Sequence, residues 1–259
     1  VAIGRWISPA VADALGSILP DRFQRFEVVE SWDDAERRCI GYEQSTVKDR
    51  GSKQASSGEN THRPTSRDLQ FIAAVGICLE ASRPGSHVRV LDFGGAFGHL
   101  FGVATSAFPN LSWEWTVVET PTMVAMAAGT DVGRSISWTS DLDSALGERW
   151  DLVLASGTIQ YVPDPIGVLT KLGGMAPYVL LTRLPLWPVD RHLPAVQRLS
   201  RRDRAGAYPT WVFSEEVLLQ EVGAIGEVVL RFDVPEDTAR IAGHRNTYTG
   251  LLIRSKDQL

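Results

Sequence analysis

The segment Val90-Leu91-Asp92-Phe93-Gly94-Gly95-Ala96-Phe97-Gly98 narrows what this chain can fold into more than any other stretch of it. It is an apolar strand that runs into a glycine-rich turn and opens a helix. Glycines there let the backbone turn tightly and approach a ligand closely, which bulky side chains would prevent. From this point onward strand-like and helix-like runs alternate, the signature of a parallel sheet with helices on both faces. Strands are expected at 88–93, 113–119, 135–139, 151–156, 178–183, 227–232 and 248–254, with crossover helices at 98–108, 122–128, 165–172 and 215–222. No helical pattern separates the last two strands, so they form an antiparallel hairpin around a Pro/Asp/Arg-rich loop. The expected fold is a Rossmann-like α/β sheet of seven strands, mostly parallel, whose last strand is antiparallel.

The region before the first strand reads differently. Residues 1–44 look helical, with Ser31 as the N-cap of a helix from Trp32 to Cys39 and Gly41 as its stop. Residues 45–66 are polar and nearly devoid of apolar anchors, the composition of a lid rather than a core. A helix follows over 67–82, with Leu69, Ile72, Ala73, Gly76 and Leu79 on one face, and Pro84-Gly85 ends it. The organisation expected is a helical cap and polar lid over 1–66, then a ligand-binding domain over 67–259 with an insertion at about 186–214.

A net charge of -5 removes the basic field that draws proteins onto phosphate backbones, so nucleic acid is disfavoured as a partner. Cys39 and Cys78 have no metal or redox spacing. The apolar stretch at 6–19 is broken by Asp13 and lacks a cleavage pattern, and no run reaches membrane-spanning length. A cytoplasmic protein that does not engage a membrane is expected, with a homodimer left open.

The acids beside the glycine turn define the ligand. A dinucleotide fingerprint would need glycine where Phe93 stands if Gly95 and Gly98 are its later members. Asp92, directly before the turn, would also repel a pyrophosphate. It suits a ligand with no phosphate and with a positive sulfonium and ammonium. Glu119, with Thr120 after it, ends the second strand where an acid accepts both ribose hydroxyls. Asp141 and Leu142 follow the third strand and offer a polar and an apolar contact to adenine, and Ser156-Gly157 close the fourth. The ligand with these properties is S-adenosylmethionine, held by Asp92, Gly94, Gly95, Ala96, Gly98, Glu119, Thr120, Asp141, Leu142, Ser156 and Gly157.

At these residues the chain resembles the class I methyltransferases, whose seven-stranded sheet also ends in an antiparallel strand. More narrowly it is similar to bacterial methyltransferases found with surface-polysaccharide and natural-product genes. The resemblance rests on Ser31-Trp32 to Cys39 with Gly41-Tyr42, Leu91 to Gly98, Val117-Val118-Glu119 with Pro121, Gln160-Tyr161 with Asp164-Pro165, Tyr208-Pro209 with Trp211 and Phe213-Ser214, and Tyr248 with Gly250. It implies the fold, the cofactor and a biosynthetic role, and it leaves the acceptor unassigned.

In such a fold the acceptor approaches from beyond the carboxyl ends of the strands, so residues after the fourth and fifth strands matter most. Ser156 to Tyr161 carry no Asn/Asp-Pro-Pro-aromatic motif for base amines, and no Asp-Asn pair for magnesium is present, so no metal is expected. His192 is the candidate base, with His99 and His62 behind it. Gln160 and Tyr161 are placed to shape the transfer site, and Arg183 to hold a carboxylate or phosphate of the acceptor. Arg198, Arg201, Arg202 and Arg204 form a basic run. Tyr208, Trp211 and Phe213 either wall the acceptor pocket or anchor the insertion. The function expected is O- or N-methylation of a small molecule. The alternatives are cyclisation of the cofactor with release of methylthioadenosine, and a non-catalytic binding protein.

Overall fold

The computed structural model describes residues 24–39, 64–82, 85, 87–127, 135–198, 207–242 and 244–256. The strands, in chain order, are β1 Gln24–Val28, β2 His87–Phe93, β3 Ser112–Val118, β4 Ser137–Thr139, β5 Leu152–Ser156, β6 Tyr178–Leu184, β7 Leu186–Trp187, β8 Leu193–Arg198, β9 Ala207–Ser214, β10 Gly226–Ile241 and β11 His244–Ser255. The helices are α1 Trp32–Arg37, α2 Ser66–Ser82, α3 His99–Ala107, α4 Pro121–Ala127, α5 Pro165–Gly173 and α6 Glu215–Ile225. All strands join one sheet in the order β4-β3-β2-β5-β6-β11-β10-β1-β8-β9-β7. Its first seven members are the expected ones. β4, β3, β2, β5 and β6 are mutually parallel, and β11 runs antiparallel between β6 and β10.

The central strands are apolar because both their faces are covered, as parallel strands require. Leu91, Val153, Val179 and Leu181 pack on the side of α5 and α6, against Leu169, Leu172, Leu218 and Val222. Val88, Val90, Leu152, Leu154 and Leu180 pack on the other side, against Phe71, Ala74, Val75 and Cys78 of α2 and Ala104 of α3. The buried stripe of α2 is thus Phe71, Ala74, Val75 and Cys78, not the expected stripe, and Leu69 is 57% exposed. The sequence of α2 is apolar most of the way around, so periodicity alone does not choose a face. Contact with the sheet does.

Two further expectations need correction. Residues 24–28 form a strand rather than helix: β1 pairs with β8 antiparallel and with β10 parallel, so its polar backbone is satisfied by a sheet. The following helix does start at Ser31, whose hydroxyl accepts the Asp34 N–H, but it ends at Arg37. Secondly, the loop expected between the last two strands is itself strand. β10 and β11 pair from Gly226↔Ser255 out to Ile241↔His244. The residues expected to form an insertion, 186–214, include β7, β8 and β9 of the sheet. These strands and the outer halves of β10 and β11 enclose their own core of Trp187, Leu193, Ala195, Val212, Val234, Ala239, Ile241 and Tyr248. Residues 45–63 of the segment 45–66 expected to be a lid, and Gly41, His62, Arg201, Arg202 and Arg204, lie outside the described residues. Among the described residues no helix is long and apolar enough to cross a membrane.

Candidate active site

From β2 the chain winds outward through β3 and β4, then returns to β5 on the opposite side of β2. The connections after β2 and β5 therefore diverge, and the crevice between them is where ligands sit in open α/β sheets. The loop at Gly94–Gly98 and the turn at Ser156–Thr158 line it.

The loop is built from left-handed residues: φ is 75° at Gly94, 49° at Ala96 and 72° at Gly98. Glycine is needed at Gly94 for space as well, since a Cβ there would lie 2.2 Å from Thr158 Cγ2. A Cβ at Gly95 would lie 2.4 Å from Asp92 Oδ2, so Asp92 packs directly beneath the turn. The Gly94 N–H donates to the Val118 carbonyl at 2.8 Å, and Gly98 closes the turn onto the Gly95 carbonyl at 2.9 Å. Glu119 ties the loop to the end of β3. Its Oε1 accepts the Ala96 N–H at 3.2 Å and its Oε2 the Thr120 N–H at 2.9 Å. Thr120 Oγ1 in turn accepts the Met123 N–H at the start of α4.

Asp92 is fully buried. Its Oδ2 accepts the Trp115 indole N–H at 3.4 Å, and its Oδ1 has no partner among the described residues. Burial pushes its carboxyl up to about 7; the Trp115 bond opposes the shift and the Glu119 charge adds to it. Burial also raises Glu119, against the two backbone N–H donors. Two shielded acids that resist ionisation next to a loop with no basic side chain suit a cation and disfavour a phosphate.

At β4 the expected adenine contacts divide. Asp141 is exposed and its Oδ1 accepts the Asp143 N–H at 2.9 Å, a local turn bond, while Leu142 packs partly against the core. Ser156 Oγ pairs with Thr182 Oγ1 at 2.7 Å, and the Gly157 N–H donates to the Thr182 carbonyl, which fastens the ends of β5 and β6 together.

Three of the four residues expected at the acceptor come together. Gln160 is buried and its Nε2 donates to the Arg183 carbonyl at 3.3 Å. The Tyr161 hydroxyl donates to Gln197 Oε1 at 2.6 Å and its ring meets Tyr208 edge-on. Burial raises the Tyr161 phenol, and the nearby Arg183 charge opposes this. Arg183 itself has φ 57° and its side chain lies over Gly157.

His192 does not join them. Its Nδ1 accepts the Ser214 N–H at 3.0 Å, its Nε2 bonds Glu221 at 2.9 Å, and its ring abuts Phe213. With both ring nitrogens engaged it pins β8 to the start of α6, and the arrangement gives no support to its reading as a base. Trp211 stacks on Trp32 and donates to the Val162 carbonyl, and Phe213 is fully buried, so these aromatics anchor the added strands. Arg198 pairs with Glu27.

Two residues beside the loop escape a reading by sequence. Thr158 fills the space above Gly94. Asp68, buried in α2, accepts from Thr65 N–H and Oγ1 and bonds His99 Nε2 at 2.9 Å, linking the starts of α2 and α3. The Thr65-x-x-Asp68 spacing marks a helix start, but nothing local points to His99.

Neither a family model nor a curated protein matches the sequence. Among solved structures, the N-terminal domain of EvdMO1, crystallised in the presence of SAH and D-fucose, aligns with a TM-score of 0.50 at 15% identity, covering 83% of this chain and 100% of that one. Less similar are the CcbJ methyltransferase from Streptomyces caelestis, with a TM-score of 0.47 at 15% identity over 82% of this chain and 97% of that one, and magnesium protoporphyrin IX methyltransferase from Synechocystis PCC 6803 with bound SAM, with a TM-score of 0.45 at 14% identity over 95% and 96%. The likeness to the first is one of fold, a Rossmann-like, mostly parallel α/β sheet.

Proposed function

We propose that the chain is an S-adenosylmethionine-dependent methyltransferase that methylates an oxygen or nitrogen of a small-molecule acceptor, without a metal, in the cytoplasm of a bacterium and within a biosynthetic pathway. The observation that carries this reading is the pairing of Asp92 and Glu119 about the Gly94–Gly98 loop at the strand-order switch. The cradle fits a phosphate-free cation, because a buried acid with an orphaned oxygen lies under a backbone turn that side chains are excluded from.

When bound, the cofactor supplies a methyl group already made electrophilic by its sulfonium. The protein's part is alignment and exclusion of water. Glu119, its oxygens aimed by Ala96 and Thr120, accepts the ribose hydroxyls. Thr120 fixes the start of α4 beside it. Asp141 and Leu142 would border the adenine, and Ser156 and Gly157 would border the amino-acid end. Asp92 balances the positive charge. Gln160, Tyr161 and Arg183 would hold the acceptor at the carboxyl ends of β5 and β6. Titration calorimetry with S-adenosylmethionine and its demethylated product tests this. Glu119→Ala should weaken both by the ~1.5–3 kcal/mol of lost hydrogen bonds to a charged group, and NAD should not bind. Unchanged affinity in the variant removes Glu119 from the site, and no binding by the wild type removes the function.

A further inference from the structure

Arg183 sits where its residue type is unfavourable. The pairing of β6 with β11 slips between Thr249 and Leu251, a β-bulge that falls beside Arg183. At such a bulge the left-handed residue is ordinarily glycine, since other L-residues are strained there. Arg183 nevertheless takes φ 57°. A bulge also turns the side chain away from the direction that regular pleating would give it. Here it carries the guanidinium over Gly157, where a Cβ would lie 3.2 Å from Arg183 Nη1. Gly157 is left-handed too, with φ 66°. The ends of β5 and β6 thus each adopt a glycine-type conformation, and together they lay a cation over the turn at Gly157.

The second observation is independent of the first. Gln160 is 2% exposed, and its Oε1 has no partner among the described residues. The amide orientation is fixed by the bond from Nε2 to the Arg183 carbonyl, because a flip would set two acceptors against each other. A buried acceptor atom without a donor is costly unless a ligand supplies one. It lies against the backbone of the same strained arginine.

Building on the methyltransferase reading, we infer that the acceptor is an oxyanion, a carboxylate or a phosphate monoester, gripped by Arg183, and that it offers an O–H or N–H to Gln160 Oε1. Guanidinium and oxyanion meet through two parallel N–H bonds, so the grip orients as well as attracts. The backbone strain at Arg183 is then a cost of aiming that cation at the transfer site.

The test uses the full chain saturated with S-adenosylhomocysteine and follows the backbone amide resonances of residues 157 and 160, which every variant retains. Acetamide, acetate, methyl phosphate and glycolate are the probes. Acetate or methyl phosphate should bind about tenfold or more tighter than acetamide, as for a hydrogen bond to a charged group, and the better of the two identifies the oxyanion. Arg183→Gln should erase the preference. Arg183→Gly should erase it too, with a thermal midpoint equal to or above the wild type, which separates loss of the cation from loss of the fold. Glycolate should exceed acetate, and Gln160→Leu should remove that margin alone. Equal affinities, no response to any probe, or a preference that survives in Arg183→Gln overturns the proposal. Failure of S-adenosylhomocysteine to bind while the anion preference persists overturns the cofactor reading and leaves the anion site standing.

Discussion

Burial alters the chemistry of Asp92 strongly, and its titration would report the cofactor binding proposed above. An aspartate in the unfolded chain titrates near 3.8, whereas burial pushes Asp92 up to about 7. Between those values the folded state holds a proton that the unfolded state releases, so its contribution to stability is greatest below about pH 4 and is lost as pH rises through about 7. This is opposite to a salt-bridged carboxylate. Asp92→Asn should flatten that slope in the ligand-free protein, as thermal unfolding across the range would show. A cation bound beside Asp92 favours its ionised form, so cofactor binding near pH 6 should release a proton. Calorimetry in two buffers of different ionisation enthalpy reads this directly; identical heats would mean that the positive charge does not reach Asp92. Both acids are legible in the sequence because their position is fixed by strand ends. Thr158 and Asp68 are not, because their partners Gly94 and His99 lie in other segments of the chain.

At the scale of elements, the helices and strands are held by local signals that sequence reading recognises. Ser31, Asp164 and Ser214 cap α1, α5 and α6 with their side chains, each accepting a backbone N–H in the first turn. What attaches α1 to the sheet is less visible. α1 has only six residues, too short to hold itself together, and it is tied down by Trp32 stacked on Trp211 of β9 with ring centroids 5.5 Å apart. Trp32→Ala should cost about 3–5 kcal/mol as a buried large-to-small change. In a double-mutant cycle with Trp211→Ala the two losses should fall short of additivity by ~0.5–1.5 kcal/mol. Additive losses would mean that the stack contributes only area. The same contact explains why the aromatics of 208–213 anchor the added strands rather than wall a pocket.

Over the whole molecule, the β10–β11 hairpin decides the architecture. Its inner half completes the seven-stranded sheet, while its outer half carries β1 and closes over the second core of Trp187, Val212 and Tyr248. Phe232 packs against both cores. Because one continuous pair of strands serves both, neither can open without stripping the other of its edge. Thermal unfolding followed by tryptophan fluorescence and by far-ultraviolet circular dichroism should therefore give one coincident transition. Two separated transitions would show that the outer core melts alone.

The sequence by itself determined the succession of seven strands along the chain, the helices between them and the glycine turn flanked by Asp92 and Glu119. Each of these follows from local periodicity, capping or backbone freedom, which a neighbouring stretch of residues is enough to specify. Tertiary structure alone decided that residues 24–28 are strand, that the last loop is hairpin, that α2 buries Phe71 rather than Leu69, and that His192 pins a helix while Arg183 lies over Gly157. Those outcomes depend on which backbone edge is left unpaired and which side chain is left without a partner. Segments distant in the chain settle both, and only when they meet.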